Sequence, residues 1–119
     1  MIVVADTSGL IAAVDAHHDL HEQCRRAISA AHLLVISPLV LAELDYLLAT
    51  RESEAEAIVV SADIAREAAE GRYDIPAVTS ETVVGAARLR LKYRALELAM
   101  TDAVNVVLAG RYATDAVLT

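Results

Sequence analysis

Three acidic residues interrupt stretches of this chain that are otherwise apolar. Asp6 follows Ile2-Val3-Val4-Ala5 and precedes Thr7-Ser8-Gly9-Leu10; Glu43 stands between Pro38-Leu39-Val40-Leu41-Ala42 and Leu44; Asp102 follows Met100-Thr101 and precedes Ala103-Val104, with Asn105 one turn further on. An isolated carboxylate moved into an apolar interior costs several kcal/mol, so it persists there only when paired, hydrogen-bonded or bound to a cation. No Lys or Arg adjoins any of the three. Oxygen ligands of this kind suit a hard divalent ion such as Mg2+ or Mn2+. Asp6 and Asp102 also have a purely structural alternative as helix caps. Glu43, in the middle of an apolar run, is harder to dismiss.

The elements that must position these acids follow from periodicity. Residues 2–5 form a continuous apolar run, as a parallel strand covered on both faces requires. Asp6 then lies at the carboxyl end of a buried strand, where open α/β sheets bind ligands. Thr7 and Ser8 can cap a helix beginning near Gly9, and their groups can also help hold a metal-bound water or a phosphate. A polar stretch from Asp15 to Glu22 leads into a helix over 24–31. A second strand, 33–36, ends at Ser37-Pro38, an N-cap followed by proline at the first helical position. The helix over 38–50 is apolar on nearly all sides and is predicted to be central and buried, with Glu43 an interior carboxylate. Residues 57–70 continue as helix, with 58–60 a possible short strand, and Gly71 ends them.

A short third strand over 73–78 carries Pro76, which restricts it to an edge or an end. Thr79-Ser80-Glu81 starts a helix to about Arg94, with Val83, Val84, Ala87 and Leu91 facing the core. Thr101 caps a helix over 102–112, and 116–119 begins a last strand. The repeating βα order, with no linker, repeat or low-complexity segment, predicts a single α/β domain: a parallel sheet flanked by helices.

Composition agrees. The chain has 119 residues, 56% of them hydrophobic, ample for one core. With four Tyr and neither Phe nor Trp, that core is built from Ala, Val, Leu and Ile. The single Cys24 excludes an internal disulfide and fits a reducing compartment. No basic leader precedes the first strand and no apolar run approaches the roughly 20 residues of a bilayer span, which predicts a cytoplasmic protein. A net charge of -7 argues against broad nonspecific nucleic-acid binding. It does not exclude a nuclease whose acids are gathered at a metal.

Three segments in this order, Ala5-Asp6-Thr7-Ser8-Gly9-Leu10, Ile36-Ser37-Pro38-Leu39-Val40-Leu41-Ala42-Glu43-Leu44 and Thr101-Asp102-Ala103-Val104-Asn105-Val106-Val107-Leu108-Ala109, resemble the PIN-domain ribonucleases, and among them the VapC-type toxins of toxin-antitoxin pairs. The resemblance spans essentially the whole chain. It implies a PIN-like three-layer fold, and it makes Asp6, Glu43 and Asp102 the first three acidic ligands, with Thr7, Ser8 and Asn105 at supporting positions. It also implies Mg2+-dependent endonucleolytic cleavage of structured RNA (tRNA or rRNA), a VapB-type antitoxin whose segment fills the acidic groove, and a homodimer. Family members place a fourth acid just after a final strand ending in Leu-Thr, so that ligand is expected beyond Leu118-Thr119; Asp115, which precedes the strand, reads as a turn residue.

Other clusters have separate readings. Arg88, Arg90, Lys92 and Arg94 put four of the ten basic residues within seven positions. A solvated helix face is the ordinary meaning of such a run, and a phosphate-contacting patch is the functional one. Tyr93 beside it offers a stacking ring. His17, His21 and Cys24 have the i, i+4, i+7 spacing of a helix face that can bind Zn2+, but a solvated loop and helix start is the ordinary meaning of the segment. A phosphoacceptor signalling domain would need an acidic pair after the first strand and a later strand-end Lys, and neither is present. A noncatalytic PIN-like interaction module is the remaining alternative.

Overall fold

The computed structural model describes residues 1–119. Four parallel strands, β1 (Ile2–Ala5), β2 (Leu33–Val35), β3 (Tyr73–Asp74) and β4 (Val117–Leu118), lie in the order β3-β2-β1-β4. The register pairs Val3 with Leu34, Leu34 with Tyr73, and Ala5 with Leu118. Six helices surround the sheet: α1 (Thr7–Val14), α2 (His21–Ala30), α3 (Pro38–Arg51), α4 (Glu54–Ala69), α5 (Ser80–Lys92) and α6 (Met100–Arg111). None is long and apolar enough to cross a membrane.

Strand alternation explains why β1 is apolar throughout. Val3, Ala5, Leu34 and Ile36 join the main core with Leu10, Val40, Leu44 and Ile64. Their neighbours Val4 and Val35, both fully buried, face the opposite layer. There a second cluster of Ala86, Ala103, Val104 and Leu108 packs α5 on α6.

Helix starts follow local chemistry. Ser37 Oγ accepts from Leu39 N at 3.1 Å ahead of Pro38. Ser53 caps α4, whose end is turned by Gly71 at φ 84°. Thr79 and Thr82 form a reciprocal capping box on α5.

The structure corrects four expectations. Thr7 does not cap α1; Asp6 does, its Oδ1 accepting from Thr7 N at 2.8 Å. Thr101 is not a cap either, because α6 starts at Met100 behind Ala99, which has no side-chain capping bond. Helix α3 is not buried all round: Val40, Leu44 and Leu48 turn inward at i, i+4, i+8, while Glu43 and Tyr46 are exposed. On α5 the inward residues are Thr82 and Ala86, and Val83, Val84, Ala87 and Leu91 are exposed. The cause is helical phase: Thr82 and Ala86, at i and i+4, face inward, and the bulky neighbours at other phases remain outside.

The far end of α6 is fastened by side chains. Tyr112 Oη donates to Asp74 Oδ2 and Thr114 Oγ1 donates to Ile2 O at 2.6 Å. Burial, then the hydrogen bond to Asp74 and its charge, push the Tyr112 phenol up to about 12. A phenol whose pKa rises on folding stabilises the fold fully below its unfolded value of about 10, and that contribution is lost as pH rises through the folded value. In an absorbance titration, one of the four tyrosines should ionise last, near pH 12, and Tyr112→Phe should remove that step. A titration in which the substitution removes an ordinary step refutes the pairing.

Gly9 lets α1 sit directly on β4. A Cβ there would meet Leu118 O at 2.5 Å and Leu118 Cγ at 2.7 Å. Gly9→Ala should therefore lower stability by about 1–3 kcal/mol, as overpacking against backbone does, measured as a fall in the thermal midpoint. An unchanged midpoint would show that β4 yields without cost.

Candidate functional site

Because β1 and β2 are parallel, the helices that follow them directly begin at the same edge of the sheet. Asp6 ends β1 and opens α1; its N–H donates to Leu118 O at 2.9 Å, and its carbonyl accepts from Leu10 N. Its carboxylate is therefore set by the sheet on one side and by the first turn of α1 on the other. Glu43 lies on α3, a turn and a half beyond Pro38. Asp102 occupies the first turn of α6, where a negative charge complements the helix dipole.

Asn105, one turn past Asp102, crosses to the central strand. Its Nδ2 donates to Ala5 O at 3.2 Å, which leaves Oδ1 pointing elsewhere. That oxygen and Thr7 Oγ1 are the two buried side-chain oxygens without a hydrogen-bond partner. Thr7 follows Asp6 directly, and Asn105 is bonded to Ala5 O. Leaving such groups unpaired costs about 1–3 kcal/mol each, and native structures rarely tolerate it without a reason. Both are hard oxygen donors, which fits a divalent cation held beside Asp6. Ser8, by contrast, is exposed.

The premise that the three acids are buried does not hold. Glu43 and Asp102 are exposed and Asp6 is half-buried. None has a cationic partner, since the ion pairs are Arg66–Asp63 and Arg72 with Glu67 and Glu70. No three His, Cys, Asp or Glu side chains stand close enough together to enclose a metal. The structure thus brings Asp6, Thr7 and Asn105 to one place and leaves Glu43 and Asp102 as solvent-facing carboxylates on helices α3 and α6. Nor are His17, His21 and Cys24 gathered into such a group. Helix α2 begins only at His21, whose Nδ1 donates to Ala12 O at 2.9 Å, and Cys24 is buried.

The basic run divides in two. At about 100° per residue, Arg88 and Lys92 share one face of α5, and Arg90 turns to the other, where its Nε donates to Leu98 O at 2.9 Å. Lys92 Nζ stands 5.3 Å from the Tyr93 ring centre. Arg94 begins a 3₁₀ turn, Arg94–Leu96. The spacing of two already separates Arg90 from its neighbours. Nothing in the sequence marked Arg111, which donates to Ala77 O at 3.1 Å and to Thr82 Oγ1 at 2.9 Å.

Comparison with known proteins bears on this arrangement. The PIN domain family model matches residues 3–119. Ribonuclease VapC26 of Mycobacterium tuberculosis is 41% identical over 120 residues, covering 98% of this chain and 84% of its own length. Among solved structures, Mycobacterium tuberculosis VapC20, a sarcin-ricin loop cleaving toxin, aligns at a TM-score of 0.85 with 21% identity, over 97% of this chain and 86% of that one. Rickettsia felis VapBC2, bound to a DNA fragment from its promoter, aligns at 0.67 with 19% identity over 96% and 84%. These two likenesses carry the fold; the family match and the VapC26 identity carry the relationship. The chain belongs to the PIN-domain family, within its VapC-type ribonucleases.

Proposed function

We propose that this chain is a divalent-cation-dependent endoribonuclease that cuts structured RNA, tRNA or rRNA, acting as a toxin neutralised by a VapB-type antitoxin. The observation that carries the reading is the pair of unpartnered buried oxygens, Thr7 Oγ1 and Asn105 Oδ1, beside an Asp6 carboxylate that no cation of the chain neutralises. Asp6, Glu43 and Asp102 would hold Mg2+, or Mn2+ in its place, with Thr7, Ser8 and Asn105 in support. The chemistry such an ion supplies when bound is polarisation of a phosphodiester and generation of a nucleophilic hydroxide near neutral pH.

The chain's own residues have narrower tasks. The Thr7 N–H orients Asp6. Asn105 fixes α6 to β1 through Ala5 O. The amino ends of α1 and α6 favour an anionic group nearby. Arg88, Lys92 and Arg94 would attract RNA phosphates toward a protein whose net charge of -7 otherwise repels them.

Support for an rRNA target comes from VapC20, named for sarcin-ricin loop cleavage, and for the antitoxin from the VapBC2 complex. The reading includes a homodimer. A noncatalytic interaction module of the same fold is the competing reading, favoured by the lack of convergence among the three acids.

Cleavage assays separate the two. Asp6→Asn, Glu43→Gln and Asp102→Asn should each abolish Mg2+-dependent cleavage of RNA. Stability should change by no more than about 0.5 kcal/mol for the two exposed sites, and Asn at position 6 keeps a capping oxygen. Wild-type cleavage in any variant removes that residue from the site, and a parent protein inert with Mg2+ and Mn2+ supports the binding module.

Replacing Arg88, Lys92 and Arg94 together by Ala should weaken RNA binding across sequences. The slope of log affinity against log salt should flatten by roughly 0.7–0.9 per lost phosphate contact. An unchanged slope would mean that the run is only a solvated face.

A further inference from the structure

Helix α6 carries both Asp102 and Asn105, yet its first turn does little to hold it, because Ala99 at its N-cap makes no side-chain bond. Two guanidinium groups supply what the cap does not. Near the start of α6, Arg90 from the last turns of α5 donates Nε to Leu98 O at 2.9 Å, two residues before Met100. At its far end, Arg111 sends Nη1 to Ala77 O at 3.1 Å and Nη2 to Thr82 Oγ1 at 2.9 Å. Thr82 is 2% exposed, and its hydroxyl also accepts from Thr79 N at 3.2 Å in the capping box. Arg111 therefore grips an atom that is itself immobilised.

These bonds make α5 and α6 an antiparallel pair with an arginine at each end. Between the ends, the seam on α5 is small: Thr82, Gly85 and Ala86, with Gly85 against Val107. Small side chains interlock shallowly, so packing alone resists sliding of one helix along the other less than a seam of large side chains would. A planar guanidinium with fixed donors resists it better.

We propose that Arg90 and Arg111 are positioning residues that fix the axial register of α6 against α5, and thereby the placement of Asp102 and Asn105 relative to Asp6. The proposal rests on the reading of those acids as cation ligands. It gives Arg90 a task different from that of Arg88 and Lys92, although all three belong to one basic run.

The test compares Arg90→Met, Arg111→Met, Arg90→Lys, Arg111→Lys and, as a contrast, Arg88→Met. In the metal-free protein, NMR of the Asn105 side-chain amide reports its bond to Ala5 O; both Met variants should shift that signal toward the free-amide position, and Arg88→Met should not. Calorimetric titration with Mn2+ alone should show affinity falling roughly tenfold in the same two variants, the lower end for residues that orient ligands. RNA cleavage should lose kcat in them, with KM and the salt slope of binding unchanged. Arg111→Lys, able to reach one acceptor of two, should fall between.

An unmoved Asn105 signal overturns the proposal whether or not the protein binds metal. So does a flattened salt slope with unchanged Mn2+ affinity in Arg90→Met, which would make Arg90 a phosphate contact. If a Met variant does not fold, its Lys counterpart carries the same measurements. A wild-type protein that neither binds Mn2+ nor cleaves RNA refutes the functional reading, while the Asn105 signal still decides the arginines.

Discussion

The carbonyl oxygen of Ala5 is the point on which the candidate site depends. It closes the central strand, and it accepts a hydrogen bond from Asn105, a residue 100 positions away in the chain. A helix that has no cap of its own is thus tied to the strand that ends in Asp6. The same strand is paired on both edges, with β2 and with β4, so its end has little freedom. The strand that ends in Asp6 and the helix that carries Asn105 are joined by a single side-chain amide rather than by attraction between charges.

That arrangement bears on the electrostatics. The chain's ion pairs gather around Arg66 and Arg72, on α4 and at its end. Glu67 there lies below the usual carboxylate range, chiefly because Arg72 hydrogen-bonds to it. The candidate acids have no such partner. Exposed pairs of this kind contribute little to stability, so leaving Glu43 and Asp102 unpaired costs the fold almost nothing. Their negative charge remains available to something from outside the chain.

Much of the architecture follows from local rules. The apolar run 2–5, Ser37 before Pro38 and Gly71 after α4 each identify an element boundary, and the structure bears them out within one or two residues for β1, α3 and α4. Burial is where the inference fails. Glu43 sits in an apolar run, but helical geometry buries only the Val40, Leu44 and Leu48 face; the count of apolar neighbours says little about phase. On α5 the bulky valines mislead for the same reason, since helical phase turns Thr82 and Ala86 inward instead. The order of the three motifs carries the resemblance to PIN-domain ribonucleases, and the family match bears that resemblance out. Their supports are harder to see: Thr82, Ala77 and Leu98 accept hydrogen bonds whose donors lie 8 to 34 residues away, and no local pattern announces such partners.

The position of β4 has a consequence for how the molecule comes into being. Strand β1 is made long before β4, yet Val4 N bonds Ala116 O and Asp6 N bonds Leu118 O. During synthesis, the edge of β1 that faces β4 therefore stays unpaired until β4 has been made. An unpaired apolar strand edge is a template for pairing with other chains, and contacts between the two ends of a chain form slowly. The nascent protein thus keeps that edge open until β4 arrives, and Asp6 acquires its bond to Leu118 only then.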